Sequence, residues 1–265
     1  MAKLNRLLFK LVREGSMKEW MRSLYYRFYY NIKRSKENNF HIYYDRGIFE
    51  YRFSSDMSFK SCINVEEELR LSLWGYIKNH KLKPGEIVID CGADVGDFTM
   101  YASRAVGQSG QVIAFEPDPA ICERLRFNLE LNGINNVIVV QKGVWFEKTT
   151  LKFMSAKDKP RTFLLDDSGE GIIEIPVVSI DDELKELGIK KVDFIKMDVE
   201  GAELEAVIGA GRTLAENRVD LAIASYHIVG GEKSFYKLEK ELTRIGYKVE
   251  TSYPRHLTTY ATKAD

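Results

Sequence analysis

At 265 residues the chain is long enough for one α/β domain with an appendage. Its 39 Lys/Arg offset its 39 Asp/Glu, which excludes a globally basic nucleic-acid binder, and no apolar run reaches the length of a membrane span. Cys62, Cys91 and Cys122 are odd in number, widely spaced and without a zinc pattern, so free thiols in a reducing, cytoplasmic setting are expected.

The charge balance hides an asymmetry. Residues 1–40 hold ten Lys/Arg against three Glu, a net of +7, so the other 225 residues carry −7. Leu4, Leu7, Leu8, Leu11 and Val12 share one helical face, and Trp20, Leu24, Phe28 and Ile32 share a second. Lys10 and Arg13 interrupt what would be the core of a secretion signal. Basic amphipathic helices of this kind most often dock their apolar face on the main domain. Alternatively they lie on an anionic membrane surface, where they would meet a lipid-linked or phosphorylated acceptor. Aromatic and polar residues alternate from His41 to Phe59, which predicts a small hairpin turning at Asp45-Arg46-Gly47. Residues 1–60 are therefore read as a basic, aromatic-rich helical extension ending in a hairpin, and residues 61–265 as the main domain. The main domain opens with a helix over Glu66–His80 that presents Leu69, Leu73, Trp74 and Ile77 on its apolar face.

The organising stretch comes after Pro84-Gly85. Ile87-Val88-Ile89 reads as a buried strand, Asp90 ends it, and Gly92 and Gly96 lead into a helix over about 96–106. A glycine loop between a strand and a helix N-terminus leaves room for a small ligand close to the backbone. No lysine comes next to make a phosphate loop, and Gly92-x-x-x-Gly96 lacks the dinucleotide spacing. Asp90 and Asp94 would repel a pyrophosphate but suit a cationic ligand with an amino group and a sulfonium, which points to S-adenosylmethionine.

Further strands and helices alternate, predicting a parallel sheet. Strands are expected at Val112–Phe115, Val137–Val140, Val192–Met197 and Leu221–Ala224. Ile121, Leu125 and Leu129 mark one helix, and Leu204, Val207, Ile208 and Gly211 the inward face of another that Gly201 leads. β structure is expected at Thr150–Met154, Thr162–Leu165 and Ile172–Val178, and a last helix carries Phe235, Leu238, Leu242 and Ile245. Lys248–Tyr253 and His256–Thr262 read as closing strands joined through Pro254.

In such sheets ligands bind beyond the carboxyl ends of the strands. Glu116 ends the second strand, 26 residues past Asp90, where a carboxylate can accept hydrogen bonds from ribose hydroxyls, while Asp118 is better placed as a helix N-cap. Gln141, Lys142 and Gly143 fall beside the expected adenine edge. Lys196, Asp198 and Glu200 alternate at a strand terminus and are expected to point the same way. Asp198 and Glu200 could orient the methionine end, hold a substrate hydroxyl or bind a metal. No metal is expected, because a site would want more oxygen ligands nearby. His227, at the next strand end, is a candidate general base. His41, His80 and His256 give no comparable reason.

Four stretches together resemble the FkbM family of S-adenosylmethionine-dependent methyltransferases: Asp90-x-Gly92-Ala93-Asp94-x-Gly96-x-x-Thr99, Phe115-Glu116-Pro117, Asn128-x-x-x-Asn132 and Lys196-x-Asp198-x-Glu200-Gly201-Ala202-Glu203. The resemblance covers roughly residues 66–227. It implies a class I methyltransferase, Rossmann-like α/β fold: a seven-stranded, mostly parallel sheet with helices on both faces and its last strand antiparallel. A helical N-terminal extension would be added here. It also implies methyl transfer to hydroxyl oxygens of sugars, polyketides or similar molecules. The residues expected at the cofactor are then Asp90, Gly92, Ala93, Asp94, Gly96, Thr99, Glu116, Pro117, Gln141, Lys142, Gly143 and Asp198, with Asp198, His227, Lys196 and Glu200 at the catalytic centre. The expected acceptor is a small molecule or glycan. Nucleic acid is not expected, although an RNA methyltransferase using the basic N-terminus is one rival reading. A non-catalytic S-adenosylmethionine-binding protein is another. A membrane surface or lipid-linked substrate would engage through residues 1–40, placing the protein at the inner membrane surface.

Overall fold

A computed structural model describes residues 40–45, 47–53, 57–154, 172–253 and 256–263. The helices expected within residues 1–40, the strand expected at Thr162–Leu165 and the turn at Pro254 lie outside these residues. The chain divides between Glu66 and Glu67 into two compact units.

The described part of the first unit is an antiparallel meander of β1 (Phe40–Asp45), β2 (Ile48–Phe53) and β3 (Ser58–Ser61). Strict alternation along β1 buries Phe40, Ile42 and Tyr44 and exposes the residues between them. The expected hairpin gains a third strand because Phe59 pairs with Tyr51 and is itself buried. The Tyr51 hydroxyl donates to Asn64 Oδ1 at 2.8 Å and accepts from the Val65 N–H at 2.7 Å, so its buried polar tip is satisfied.

The second unit opens with α1, a helical run made of an α turn (Glu66–Glu68), a π turn (Leu69–Leu73) and a further α turn (Trp74–Tyr76). Leu69 and Leu73 are buried as the periodicity predicts. The wider π turn then rotates the last α turn, so Tyr76 faces inward and Ile77 does not. The expected helix to His80 also stops early, after Tyr76.

The chain then alternates as expected. β4 (Ile87–Cys91), α2 (Asp97–Val106), β5 (Gln111–Phe115), α3 (Pro119–Leu131) and β6 (Val137–Val140) come first. β7 (Gly143–Val144), β8 (Thr149–Met154) and β9 (Ile172–Val178) make a small separate sheet. After α4 (Ile180–Glu186) come β10 (Phe194–Met197), α5 (Glu203–Ile208), α6 (Gly211–Glu216) and β11 (Asp220–Ala224). A short hairpin, β12 (Ile228–Val229) and β13 (Glu232–Lys233), precedes α7 (Phe235–Arg244), β14 (Tyr247–Ser252) and β15 (Thr258–Lys263).

Seven strands form one sheet in the order β14-β15-β11-β10-β4-β5-β6, with β15 running against its neighbours. Consecutive residues of β4, β5, β10 and β11 are buried, so both sheet faces are covered. From β4 the chain first builds one way, through β5 to β6, and later the other way, through β10. The gap between the carboxyl ends of β4 and β10 is therefore the topological switch point.

The helix expected after Gly201 is two helices. Gly209 breaks it: a Cβ there would lie 2.1 Å from the Trp145 carbonyl oxygen, so the chain crosses backbone to backbone. Ile208, expected inside, is 51% exposed, and Ala206, Val207, Ala210 and Leu214 face the core instead.

Candidate active site

The loop after β4 is built by close backbone approach. Gly92 has φ +76, and a Cβ there would lie 1.9 Å from the Asp198 carbonyl oxygen. The N–H groups of Gly92 and Ala93 both donate to Phe115 O, at 3.0 and 2.9 Å, tying the loop to the end of β5. Gly96 has a different reason from the one expected. A Cβ there would meet Leu125 Cδ1 of α3 at 2.5 Å, so its small size serves helix packing rather than ligand space.

Asp90 is fully buried beneath this loop. Its Oδ2 accepts from Thr99 Oγ1 at 2.5 Å, and its Oδ1 lies 3.0 Å from Lys196 Nζ. Lys196 also donates to Gly92 O at 2.7 Å. Burial works against the lysine's charge, but Asp90, Asp198 and Asp97 outweigh it and hold the ammonium above its ordinary value. Asp90, Thr99 and Lys196 thus brace the loop from behind. The expectation that Lys196, Asp198 and Glu200 point one way fails for a simple reason. Only Lys196 lies in β10; Asp198 and Glu200 have left the strand, and Glu200 turns at φ 58.

Glu116, 2% exposed at the end of β5, is fixed by backbone donors. Its Oε2 accepts from the Asp94 N–H at 2.9 Å and its Oε1 from the Asp118 N–H at 3.0 Å. Asp118 N-caps α3, accepting from the N–H groups of Ala120 and Ile121. An open cavity of about 440 Å³ lies over these strand ends. Of the residues expected at a cofactor, Gly92, Glu116, Pro117, Lys142, Gly143 and Asp198 line it. Asp94 contributes its N–H to Glu116, Ala93 is buried in the loop, and Gln141 turns to the surface to accept from Arg126 Nη1 at 3.1 Å. Phe153 of β8, not singled out from the sequence, also lines the cavity.

Asp198 and Glu200 stand on the cavity wall. Around Asp198 gather side chains from across the chain. The Tyr76 hydroxyl donates to its Oδ2 at 2.8 Å, and Tyr226 to its Oδ1 at 3.3 Å. His256 Nε2 lies 3.6 Å from Oδ2, and His227 Nε2 lies 3.7 Å from Oδ1. Burial alone would raise the Asp198 carboxyl, but His256, Lys196 and His227 together pull it down to about 2. His227 Nδ1 is 2.8 Å from Glu203 Oε1, and its Nε2 is 3.5 Å from Glu200 Oε2. Burial would lower the imidazole, but Glu200, Glu203 and Asp198 raise it to about 10. An imidazole held charged in this way differs from the near-neutral base that the sequence suggested. Tyr76 was not singled out and His256 was set aside, because they come from α1 and from the run between β14 and β15. Glu203 carried a signal, its place in the last motif.

With this geometry in view, similarity to known proteins becomes informative. A sequence profile described as Methyltransferase FkbM domain matches residues 90–249. Methyltransferase 1 of Beauveria bassiana (strain ARSEF 2860) is 29% identical over 143 residues, which is 46% of this chain and 57% of that protein. The 31-O-demethyl-FK506 methyltransferase FkbM of Streptomyces tacrolimicus is 26% identical over 182 residues, 57% of this chain and 69% of that protein. The crystal structure of Methyltransferase FkbM from Methylobacillus flagellatus KT matches with a TM-score of 0.52 at 23% identity, over 70% of this chain and 45% of that one, a likeness of fold. The chain spans about half the length of the curated relatives it matches.

Proposed function

The chain belongs to the FkbM methyltransferase family, and from that premise we propose that it is an S-adenosylmethionine-dependent O-methyltransferase acting on a hydroxyl of a small molecule or glycan. The observation that carries this reading is Glu116, a buried carboxylate fixed by two backbone N–H groups and still facing the cavity. A carboxylate oxygen accepts more than one hydrogen bond, which suits this group to ribose hydroxyls. Gly92 lets the loop after β4 close against the Asp198 backbone at the edge of the cavity, where a Cβ would clash. Lys142 and Gly143 border the adenine end, and Asp198 and Glu200 put negative charge toward the sulfonium end.

Bound S-adenosylmethionine supplies an electrophilic methyl group on a positively charged sulfur. The chain's own part is positioning. Tyr76 and Tyr226 hold the Asp198 carboxylate still, and Asp198 and Glu200 can accept a hydrogen bond from an acceptor hydroxyl beside the methyl. An oxygen acceptor is supported by the Streptomyces tacrolimicus relative, whose name states transfer at an oxygen.

The test is incubation of a cell extract with the full chain and methyl-labelled S-adenosylmethionine, followed by mass spectrometry. Label on an oxygen of a small molecule or glycan is expected. Label in RNA would overturn the substrate class. Binding of the cofactor with no transfer to any acceptor would overturn the activity.

A further inference from the structure

We infer that Asp198, Glu200 and His227 form a binding site for one divalent transition-metal ion on the wall of the cavity. One donor atom from each of the three lies within 4.8 Å of the other two. His227 Nε2 is 3.7 Å from Asp198 Oδ1 and 3.5 Å from Glu200 Oε2. These separations are long for hydrogen bonds. The 3.5 Å separation falls within, and the 3.7 Å separation just above, the spacing of about 3–3.6 Å between neighbouring donors around an ion with bonds of about 2.0–2.2 Å.

The independent observation is His227 itself. Its side chain is only 10% exposed, and both ring nitrogens are buried without a well-formed hydrogen bond, with Nε2 facing the Asp198 and Glu200 carboxylates. A buried polar atom in that state calls for an occupant. An ion bound there would displace the proton that the surrounding carboxylates hold on the ring, leaving a neutral imidazole as ligand. Nδ1 faces Glu203 Oε1 at 2.8 Å, and that carboxylate is fully buried and accepts from the N–H groups of Val199 and Gly201. A carboxylate behind a ligating histidine fixes its tautomer and leaves the other nitrogen as donor. Tyr76 holds Asp198 through Oδ2 at 2.8 Å, and Oδ1, which faces the gap, has only the longer contact of 3.3 Å from the Tyr226 hydroxyl. Glu200 reaches the gap from a left-handed backbone conformation, φ 58, that a non-glycine residue adopts only when its surroundings hold it.

Two carboxylate oxygens with one imidazole favour manganese, iron or zinc over calcium, which takes six or more oxygens. Asp198 and Glu200 both line the cavity, so the remaining coordination positions face it. Under the methyltransferase reading an acceptor oxygen would fill one of them, but ion binding stands without that reading. The sequence-based expectation of no metal counted oxygen ligands alone and missed the imidazole that β11 delivers.

The test uses the full chain, treated with EDTA, desalted and titrated with manganese chloride and separately with zinc chloride. Calorimetry and, for manganese, electron paramagnetic resonance read binding without any turnover. One ion per chain is expected. Glu200→Gln and Asp198→Asn should abolish saturable binding, and Glu203→Gln should weaken it about 10–100-fold through His227. Glu200 is part-exposed, so Glu200→Gln should keep the thermal unfolding of the metal-free protein and isolates the ligand's role. No saturable binding of either ion, or binding that Glu200→Gln leaves unchanged, overturns the site. Ion binding without methyl transfer would count against the methyltransferase reading alone, and methyl transfer without ion binding against the metal site alone.

Discussion

Glu116 accepts one backbone N–H on each oxygen before any ligand arrives, which makes it a pre-ordered acceptor. Glu116→Ala should cost S-adenosylmethionine affinity about 1.5–3 kcal/mol, the range for hydrogen bonds to a charged group. Calorimetry checks this, and unchanged affinity would remove Glu116 from the cofactor site. Glu116 was legible in the sequence because a strand end announces itself locally. Tyr76 and His256 were not, since nothing local tells that α1 and the run before β15 converge on Asp198. A second residue gives a pH prediction. His80 Nδ1 lies 2.7 Å from Asp220, its Nε2 lies 3.1 Å from Glu86, and its ring stacks on Phe194. Burial pushes this imidazole down, yet the two carboxylates outweigh burial and raise it above 6.5. The folded state therefore holds the proton more tightly than the unfolded chain. That stability is fully present below about pH 6.5 and is lost as pH rises through the folded value. Urea unfolding of the protein should show stability falling from about pH 6 to pH 9. His227, raised to about 10, adds to the same fall, so His80→Gln should reduce the slope without removing it, and an unaltered slope would exclude His80 as a contributor.

At the scale of elements, regular periodicity was legible and close backbone approach was not. α2, α3 and the parallel strands fall where β-branched runs and i, i+4 spacing place them, and Asp118 and Ser179 cap α3 and α4. Nothing in the structure explains the π turn in α1. The break between α5 and α6 is set by a neighbour remote in sequence, so no local pattern records it. Gly209 tests this. Its Cβ would meet not a movable side chain but the Trp145 carbonyl at 2.1 Å and the Phe146 Cα at 3.1 Å. Gly209→Ala should therefore destabilise the fold by about 3 kcal/mol or more, lowering the melting temperature by roughly 6 °C or more. Gly96→Ala faces only the mobile end of Leu125, with the added strain of φ +92, and should cost less, about 1–2 kcal/mol. Differential scanning calorimetry of the two variants decides the order. Equal losses would mean that backbone crossing is not what makes Gly209 necessary.

For the whole molecule, the open question is what a net +7 in residues 1–40 does beside a remainder of −7. Among the described residues no helix is long and apolar enough to cross a membrane. Two uses of the basic helices make opposite predictions. If their apolar faces dock on protein, Leu4, Leu8, Trp20 and Phe28 are already covered, and only screened lysines and arginines face solvent. Phospholipid vesicles then gain little from the protein, because surface charge without apolar insertion gives an attraction that fades within a Debye length of about 8 Å at physiological salt. If the faces are free, each basic residue near an anionic surface adds about 1 kcal/mol, and the aromatic rings add insertion. Docking is the commoner use of such a face, so we expect the full chain to stay in the supernatant when vesicles rich in phosphatidylserine are sedimented at about 0.15 M salt. At about 0.02 M salt a weak, fully reversible association driven by charge alone is expected. Strong sedimentation that survives about 0.5 M salt would instead require inserted apolar side chains. Residues 1–40 would then hold the chain at an anionic surface, the setting in which a lipid-linked acceptor is met.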